Sequence, residues 1–290
     1  MLRGFFIVKI KRIIIFLEIA IITFVILMPF TFSHPAIVLP LIKARLKLSA
    51  TGLIIGSMIP DFEYFIRMRD RSRYSHTLTG IFWFDIPLAL LVCFIYHLLV
   101  RNSLFDNLPS FLKDRFSVYK KFNWPRYFIK NWAIVLASVI IGAVSHILWD
   151  AVTHNTMFYV NQADLSTMMK IGKINLAGYK FLQLASTITG GLIVIYSIFA
   201  LRRIHQPKTK IDYRYWTIVW IITLSITFLR FAKDDFRLHY YSPYRVIAVS
   251  FIASFMIGLI LTPLLLNQKQ PPGTKNSFKR KIEVDTVNGN

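Results

Sequence analysis

Four histidines and two aspartates stand in this chain where apolar segments would ordinarily carry nothing ionisable. His34 sits in Ser-His-Pro, Asp61 in Ile-Pro-Asp-Phe and His76 in Tyr-Ser-His-Thr. His146, Asp150 and His154 follow one another at four-residue steps. At 3.6 residues per turn the first two share a helix face, and the third drifts by about 80°. One helix therefore offers two or three ligands to a single cavity. Imidazole and carboxylate together suit Zn²⁺ first, then Mn²⁺ or Fe²⁺, whereas Ca²⁺ and Mg²⁺ prefer all-oxygen shells. Six candidate ligands exceed one tetrahedral zinc, so one or two ions are expected, with Asp150 placed to bridge a pair. Such a centre lowers the pKa of a bound water to about 7 and supplies a hydroxide nucleophile. Asp150 and Asp61 are the catalytic candidates, since a carboxylate not consumed by the metal is the obvious proton acceptor. The opposing reading of each histidine is a hydrogen-bond partner in helix packing.

The elements that must position these residues are membrane helices. The 290 residues are 55% hydrophobic, yet they carry 35 Lys and Arg against 14 Asp and Glu, a net charge of +21. Mean hydropathy is +0.51. The conflict resolves because nearly all the charges lie between long apolar runs. A hydrocarbon layer about 30 Å thick needs roughly 20 apolar residues per helix. Segments 13–30, 78–100, 132–152, 181–201 and 246–266 meet that need. Segment 215–229 is shorter, but Arg214 and Arg230 flank it and their long stems reach the interface, which makes a sixth span. The expected fold is all-α, a polytopic helical membrane protein of about six spans. Between the first two long runs, 36–42 and 48–58 are apolar and Lys43, Arg45 and Lys47 interrupt them. A short helical hairpin near residues 35–60 follows, and it returns Asp61 to the side of His34. Irregular backbone at that depth is tolerated only where protein or a wet cavity surrounds it. His76 opens the next span, and His146 to His154 end a span that begins on the opposite side, so all six residues gather at one membrane face.

Loop charges orient the chain. Connections 101–130 and 202–214 and the tail after 266 hold seven, five and five Lys or Arg, against four, three and four in 67–73, 170–180 and 230–245. The positive-inside rule puts the first set, and both termini, in the cytoplasm. The candidate centre then faces outward. Residues 1–27 read as a signal anchor or as translation from a start upstream of Met28, with Glu18 an oddity in mid-run. Residues 28–266 read as one helical membrane domain, and the polar tail 267–290 as disordered. The single cysteine, Cys93, lies in a span, which excludes intramolecular disulfides and thiolate metal clusters. No basic face interleaved with aromatics is present, so membrane lipids rather than nucleic acid are the expected partners.

Other polar residues are weaker candidates. Asp85 stands mid-span in Phe-Asp-Ile-Pro, half a turn out of phase with His76, as a partner to a ligating histidine or to backbone freed by Pro87. His239, Asp234 and Asp235 read as a solvated loop on the candidate side. His97 and His205 read as interfacial residues of the opposite face. Glu63 and the Arg67–Arg73 run read as a solvated or headgroup-binding edge. No serine nucleophile motif, phosphate loop or dinucleotide fingerprint competes. A small transporter would favour polar groups stacked through the bilayer and paired broken helices, where this chain has one hairpin and a one-sided cluster.

The motifs MPFTFSHPAIVLPL, GSMIPDFEYF, RYSHTLTGIFWFDIPLAL and GAVSHILWDAVTHN resemble the successive motifs of an uncharacterised family of prokaryotic membrane proteins, a domain of unknown function. The resemblance covers residues 28 to about 265 and is strongest over 28–90 and 140–156. More distantly, the motif order is similar to that of inner-membrane metal-dependent hydrolases, which share a His, Pro-Asp, Ser-His and His-x-x-x-Asp succession. That likeness implies a metal site at His34, Asp61, His76, His146 and Asp150, with His154 carried over as a sixth ligand. Here Asp61 is followed by Phe62-Glu63, without the second Asp common in the distant group. The expectation is a membrane-embedded metal-dependent hydrolase of an ester or phosphoester, with a lipid-linked substrate in view. The alternatives are a non-enzymatic membrane protein with a structural metal or polar cluster, and a small transporter.

Overall fold

The computed structural model describes residues 31–44, 46–153, 167–171, 174–205, 211–232 and 243–266. The expected first span at 13–30, the termini, His154 and the loop of Asp234, Asp235 and His239 lie outside the described residues. What is described is an all-α polytopic membrane protein. Five helices are long and apolar enough to cross a membrane.

A 3₁₀ turn, Thr31–Ser33, leads into α1 (Pro35–Lys43), with Pro35 at the first helical position where its missing N–H costs nothing. Helix α2 (Ala50–Gly56) begins at Ser49, whose hydroxyl accepts the Gly52 N–H. These two helices are the expected hairpin. A second 3₁₀ turn, Ile59–Asp61, passes directly into α3 (Phe62–Arg67). Helix α3 stops at Met68, which adopts the left-handed conformation with φ 48°.

Helix α4 (Leu78–Asp106) is the first described span, and π turns at Ile81–Asp85 and Tyr96–Val100 interrupt it. The first π turn runs up to Pro87, whose ring cannot donate, so the ladder is re-registered there. After α5 (Ser110–Phe116) comes α6 (Trp124–Thr153), which kinks at Asn131. Its spanning part therefore starts where the apolar run at 132 does. The strands β1 (Met168–Ile171) and β2 (Ile174–Ala177) pair antiparallel, Met168 opposite Ala177, where the sequence reading had only a loop. The remaining spans are α7 (Gly178–Phe199), α8 (Tyr213–Ala232) and α9 (Pro243–Leu265).

The two connections richest in cations meet at one end of the bundle. Asp114 receives Arg203 Nε at 2.9 Å, and the Trp216 indole donates to the Asn107 carbonyl at 2.8 Å. The expected pairing of loops 101–130 and 202–214 on one side is thus observed. His205 is exposed there, 3.4 Å from Asp114. His97 corrects its expectation as an interfacial residue, because it is buried. It accepts from Arg101 at 2.9 Å, bonds Thr51 at 3.1 Å and stacks on Trp124 with centroids 4.6 Å apart. Arg101 also donates to the carbonyls of Phe122 and Lys120, so the histidine belongs to a node that ties the loop to the bundle.

The core is built on one close crossing. Gly52 and Gly56 on α2 face Ser138 and Gly142 on α6, the small-xxx-small pattern that lets membrane helices touch backbone to backbone. A Cβ on Gly142 would lie 2.6 Å from both the Leu53 carbonyl oxygen and the Ser57 nitrogen. Ser138 holds the upper edge, accepting the Ser49 N–H at 2.8 Å and donating to the Ile134 carbonyl at 2.6 Å. Gly142→Ala should therefore force backbone apart at an overpacking cost on the order of 1–3 kcal/mol. Gly191→Ala, with nothing within 4 Å of its new methyl, should be neutral or gain the better helix propensity of Ala. Thermal unfolding of the two variants in detergent checks the contrast.

Candidate metal centre

The α6 ridge that starts with Ser138 and Gly142 continues, four residues at a time, to His146 and Asp150. All four are buried. The close crossing therefore delivers the ligand pair to the end of α2. There His146 Nδ1 lies 2.8 Å from the Ser57 carbonyl oxygen. A carbonyl only accepts, so Nδ1 carries the proton and donates, which leaves the Nε2 lone pair for a cation.

Asp61 comes from the 3₁₀ turn that follows α2. Thr31 donates its hydroxyl to Asp61 Oδ2 at 2.6 Å and leaves Oδ1 facing inward. That Oδ1 lies 3.5 Å from His146 Nε2 and 3.6 Å from His76 Nε2. Asp150 Oδ2 lies 3.2 Å from His146 Nε2 and 3.4 Å from His76 Nε2. Asp61, His76, His146 and Asp150 each offer one ligand atom, and these atoms lie within 4.8 Å of one another.

The four separations are long for charge-assisted hydrogen bonds of about 2.7–2.9 Å. Among the described residues neither His76 Nε2 nor His146 Nε2 makes a hydrogen bond, although both atoms are buried. A tetrahedron with metal–ligand bonds of about 2.0–2.1 Å has edges of about 3.3–3.4 Å. The four nitrogen–oxygen separations are thus close to the edges of one coordination sphere. This donor set fits a divalent transition metal such as zinc.

His34 stands at the edge of this group. Its Nε2 is 3.8 Å from Asp150 Oδ1, and its ring stacks on His146 with centroids 3.9 Å apart. Asp150 thus turns one oxygen to His146 and His76 and the other to His34, as a bridging carboxylate would. Four of the six expected residues converge, His34 lies beside them, and the sixth, His154, lies outside the described residues.

Asp85 does not join the four. It is fully buried, and neither carboxylate oxygen has a hydrogen-bond partner among the described residues. The reading of Asp85 as a carboxylate satisfying freed backbone is therefore not what the side chain does.

Glu63 corrects a second expectation. It is 1% exposed rather than a solvated edge. Its carboxylate accepts the backbone N–H groups of Arg73 at 2.9 Å, Tyr74 at 2.9 Å and Ser75 at 3.0 Å, and Arg67 Nε at 2.7 Å. The loop it grips carries His76, whose Nδ1 lies 3.0 Å from Ser75 Oγ. Sequence reasoning missed this role. The four-residue spacing of Glu63 and Arg67 was the one visible signal, while three backbone donors leave no trace in residue types. Of the arginine run, Arg67 is tied down, whereas Arg69, Arg71 and Arg73 are exposed.

The electrostatics suit a cation. Burial works against an ionised Asp61, but His146, with His76 and His34, holds its carboxyl well below the usual range. Burial likewise works against a charged His76, yet the carboxylates of Asp150 and Asp61 override it and hold its pKa at about 9. A proton resides where a divalent cation would, so a metal entering this site displaces it.

For Glu63, burial raises the carboxyl, but the three N–H donors and Arg67 outweigh it and bring the pKa to about 2 from 4.5. A depressed carboxylate contributes stability in full above its unfolded pKa and loses it as pH falls through the folded one. The stability difference between wild type and Glu63→Gln should be on the order of 3 kcal/mol at neutral pH. That difference should stay constant down to about pH 4.5 and shrink toward pH 2. Unfolding in detergent across pH measures it, and a pH-independent difference would reject the clamp.

Comparison with curated proteins and with solved structures gives no match. The family described as a domain of unknown function, DUF4184, matches residues 28–264, a stretch that contains every ligand of the centre, and the chain belongs to that family.

Proposed function

We propose that this protein is a membrane-embedded metal-dependent hydrolase acting on an ester or phosphoester, with a lipid-linked substrate. The observation that carries the reading is the set of four largely buried donors whose nitrogen–oxygen separations match the edges of one coordination sphere. The motif order shared with inner-membrane metal-dependent hydrolases supports it. The positive-inside rule supports a centre at the outer face of a prokaryotic inner membrane, with the termini in the cytoplasm. A bound ion, or two sharing Asp150, would supply Lewis acidity and a water acidic enough to ionise near neutral pH.

The chain's own groups supply the rest. Hydrolysis bonds the water oxygen to the acyl carbon or phosphorus and breaks the bond to the alcohol oxygen. One water proton must leave and one must reach the departing oxygen. Asp150 Oδ1, on the side of His34, is placed to take and return it. Asp61, with Oδ2 held by Thr31, has Oδ1 turned to His76 and His146, where it would help hold the cation. Thr31, Ser57 and Glu63 fix the orientation of these groups.

One observation favours a second reading, a structural metal site in a non-enzymatic membrane protein. Structural zinc has four protein ligands, whereas catalytic zinc keeps a position open, and the four residues here are nearly all buried. Against it, a notch of about 10 Å³ beside Asp150, lined also by Ser33, His34 and Gln183, has room for about one water. A structural site has no need of a water there.

Elemental analysis of detergent-purified protein should find about one to two equivalents of zinc, manganese or iron in the wild type. His146→Ala and Asp150→Asn should each lose it. A folded wild type that stays metal-free after supplementation would overturn the hydrolase. Metal retained without turnover of any ester or phosphodiester would favour the structural site.

A further inference from the structure

Beside the centre lies a partly open cavity of about 170 Å³ between α1, α6 and α7. Its lining is almost wholly apolar and includes Ala36, Ile37, Trp149, Gly190 and Ile193. Its upper end shares Ser33, His34, Trp149 and Ser186 with the polar notch at Asp150. A volume of roughly 150 Å³ already admits a benzene ring, so the slot has room for a length of hydrocarbon chain.

Polarity changes along all three elements in the same sense. On α7, Gln183, Ser186 and Thr187 line the notch, and Ser186, Thr189, Gly190 and Ile193 line the slot, so that its deep end is apolar. Ser186 to Ile193 spans about 10 Å along the helix axis. The N-terminal side of α1 runs from Ser33 and His34 to Ala36 and Ile37. Helix α6 runs from Thr153 and Asp150 to Trp149, with the numbering reversed because it approaches the face from below. Each element is polar at the level of the centre and apolar toward the bilayer interior. Gly190 permits the arrangement, since a Cβ there would lie 2.9 Å from both the Cβ and the carbonyl oxygen of Ser33.

Charge completes the match. Arg69, Arg71 and Arg73 are exposed on the loop that delivers His76 to the centre. Arg73 is three residues from His76 along a bend and turn, which keeps the two within about 10 Å of each other. Juxtamembrane arginines attract anionic headgroups.

We infer that the slot and notch bind an anionic glycerophospholipid laterally from the bilayer. One acyl chain lies between α1 and α7, the ester region lies at the upper end of the slot beside His34 and the mouth of the notch, and the phosphate faces the arginine loop. This names the substrate class of the proposed hydrolase and rests on that reading for the fate of the lipid, not for its binding.

The probe is phosphatidylglycerol with a diazirine on one acyl chain, in nanodiscs with the full chain and read by peptide mass spectrometry. Photolysis should label the peptides of Trp149 and Ile193 above those of exposed Leu224 and Phe228 on α8. Ile193→Trp and Ile37→Trp, at half-exposed positions on the rim, should cut that labelling roughly tenfold by overfilling the slot. Metal content should stay at the wild-type level and report an intact fold. The same diazirine chain on phosphatidylcholine should label less. Slot labelling no stronger than on α8, labelling indifferent to both tryptophans, or equal labelling by the two lipids would overturn the inference. Selective, blockable labelling without phospholipid turnover would sustain the binding site and remove the hydrolase. Turnover of a short water-soluble ester by wild type, with no selective labelling, would do the reverse.

Discussion

The approach of α2 to α6 governs everything else in this molecule. Lipid tails are as apolar as leucine, so two helices in a bilayer gain little from burying hydrophobic surface against each other. What holds them is contact, and contact here needs Gly52, Gly56, Ser138 and Gly142, because backbone carbonyls occupy the space where larger side chains would go. The same ridge of α6 then presents His146 and Asp150. Closeness at the glycines becomes closeness at the ligands: the Ser57 carbonyl that ends α2 is the group that fixes the tautomer of His146.

Around that rigid pair the other ligands come from turns, and each turn is held by a polar contact of its own. Thr31 occupies one oxygen of Asp61 and so chooses which oxygen faces the cluster. Glu63 gathers three backbone N–H groups and an arginine, converting an irregular loop into a fixed support for His76. A carboxylate buried in apolar surroundings is costly unless its lone pairs are met, and a backbone loop is costly unless its N–H groups are met. Each settles the other's deficit. The His/Asp cluster has the opposite character: the Nε2 atoms of His76 and His146 are buried with no hydrogen-bond partner among the described residues, facing the carboxylates of Asp61 and Asp150. Such an arrangement is stable only with positive charge at its centre, a proton or, more fittingly, a divalent ion.

The likeness between the centre and its surroundings is one of depth. Polar residues end at the same level on α1, α6 and α7, and apolar ones continue from there into the bilayer. An amphiphile has the same order of parts. On the proposed reading, a lateral slot would admit an amphiphile without lifting it out of the membrane, which avoids the cost of about 0.8 kcal/mol for every methylene moved into water.

The sequence by itself determined the all-α membrane class, the five described spans, the short hairpin and the meeting of His34, Asp61, His76, His146 and Asp150. These were legible because hydrocarbon thickness sets span length and helical period sets faces, and both act on residue type and spacing alone. A chain that crosses a bilayer an integral number of times has little freedom over which ends meet, so ionisable residues at alternate span ends were bound to share a face. Only the tertiary structure decided that Glu63 is a buried clamp, that His97 is a node with Arg101 and Trp124, and that Asp85 is buried with no hydrogen-bond partner among the described residues. Those outcomes turn on backbone donors and on side chains far apart in sequence, and neither is written in the residue types nearby. Whether a charged residue beside an apolar run faces water or turns inward depends on what the fold sets opposite it.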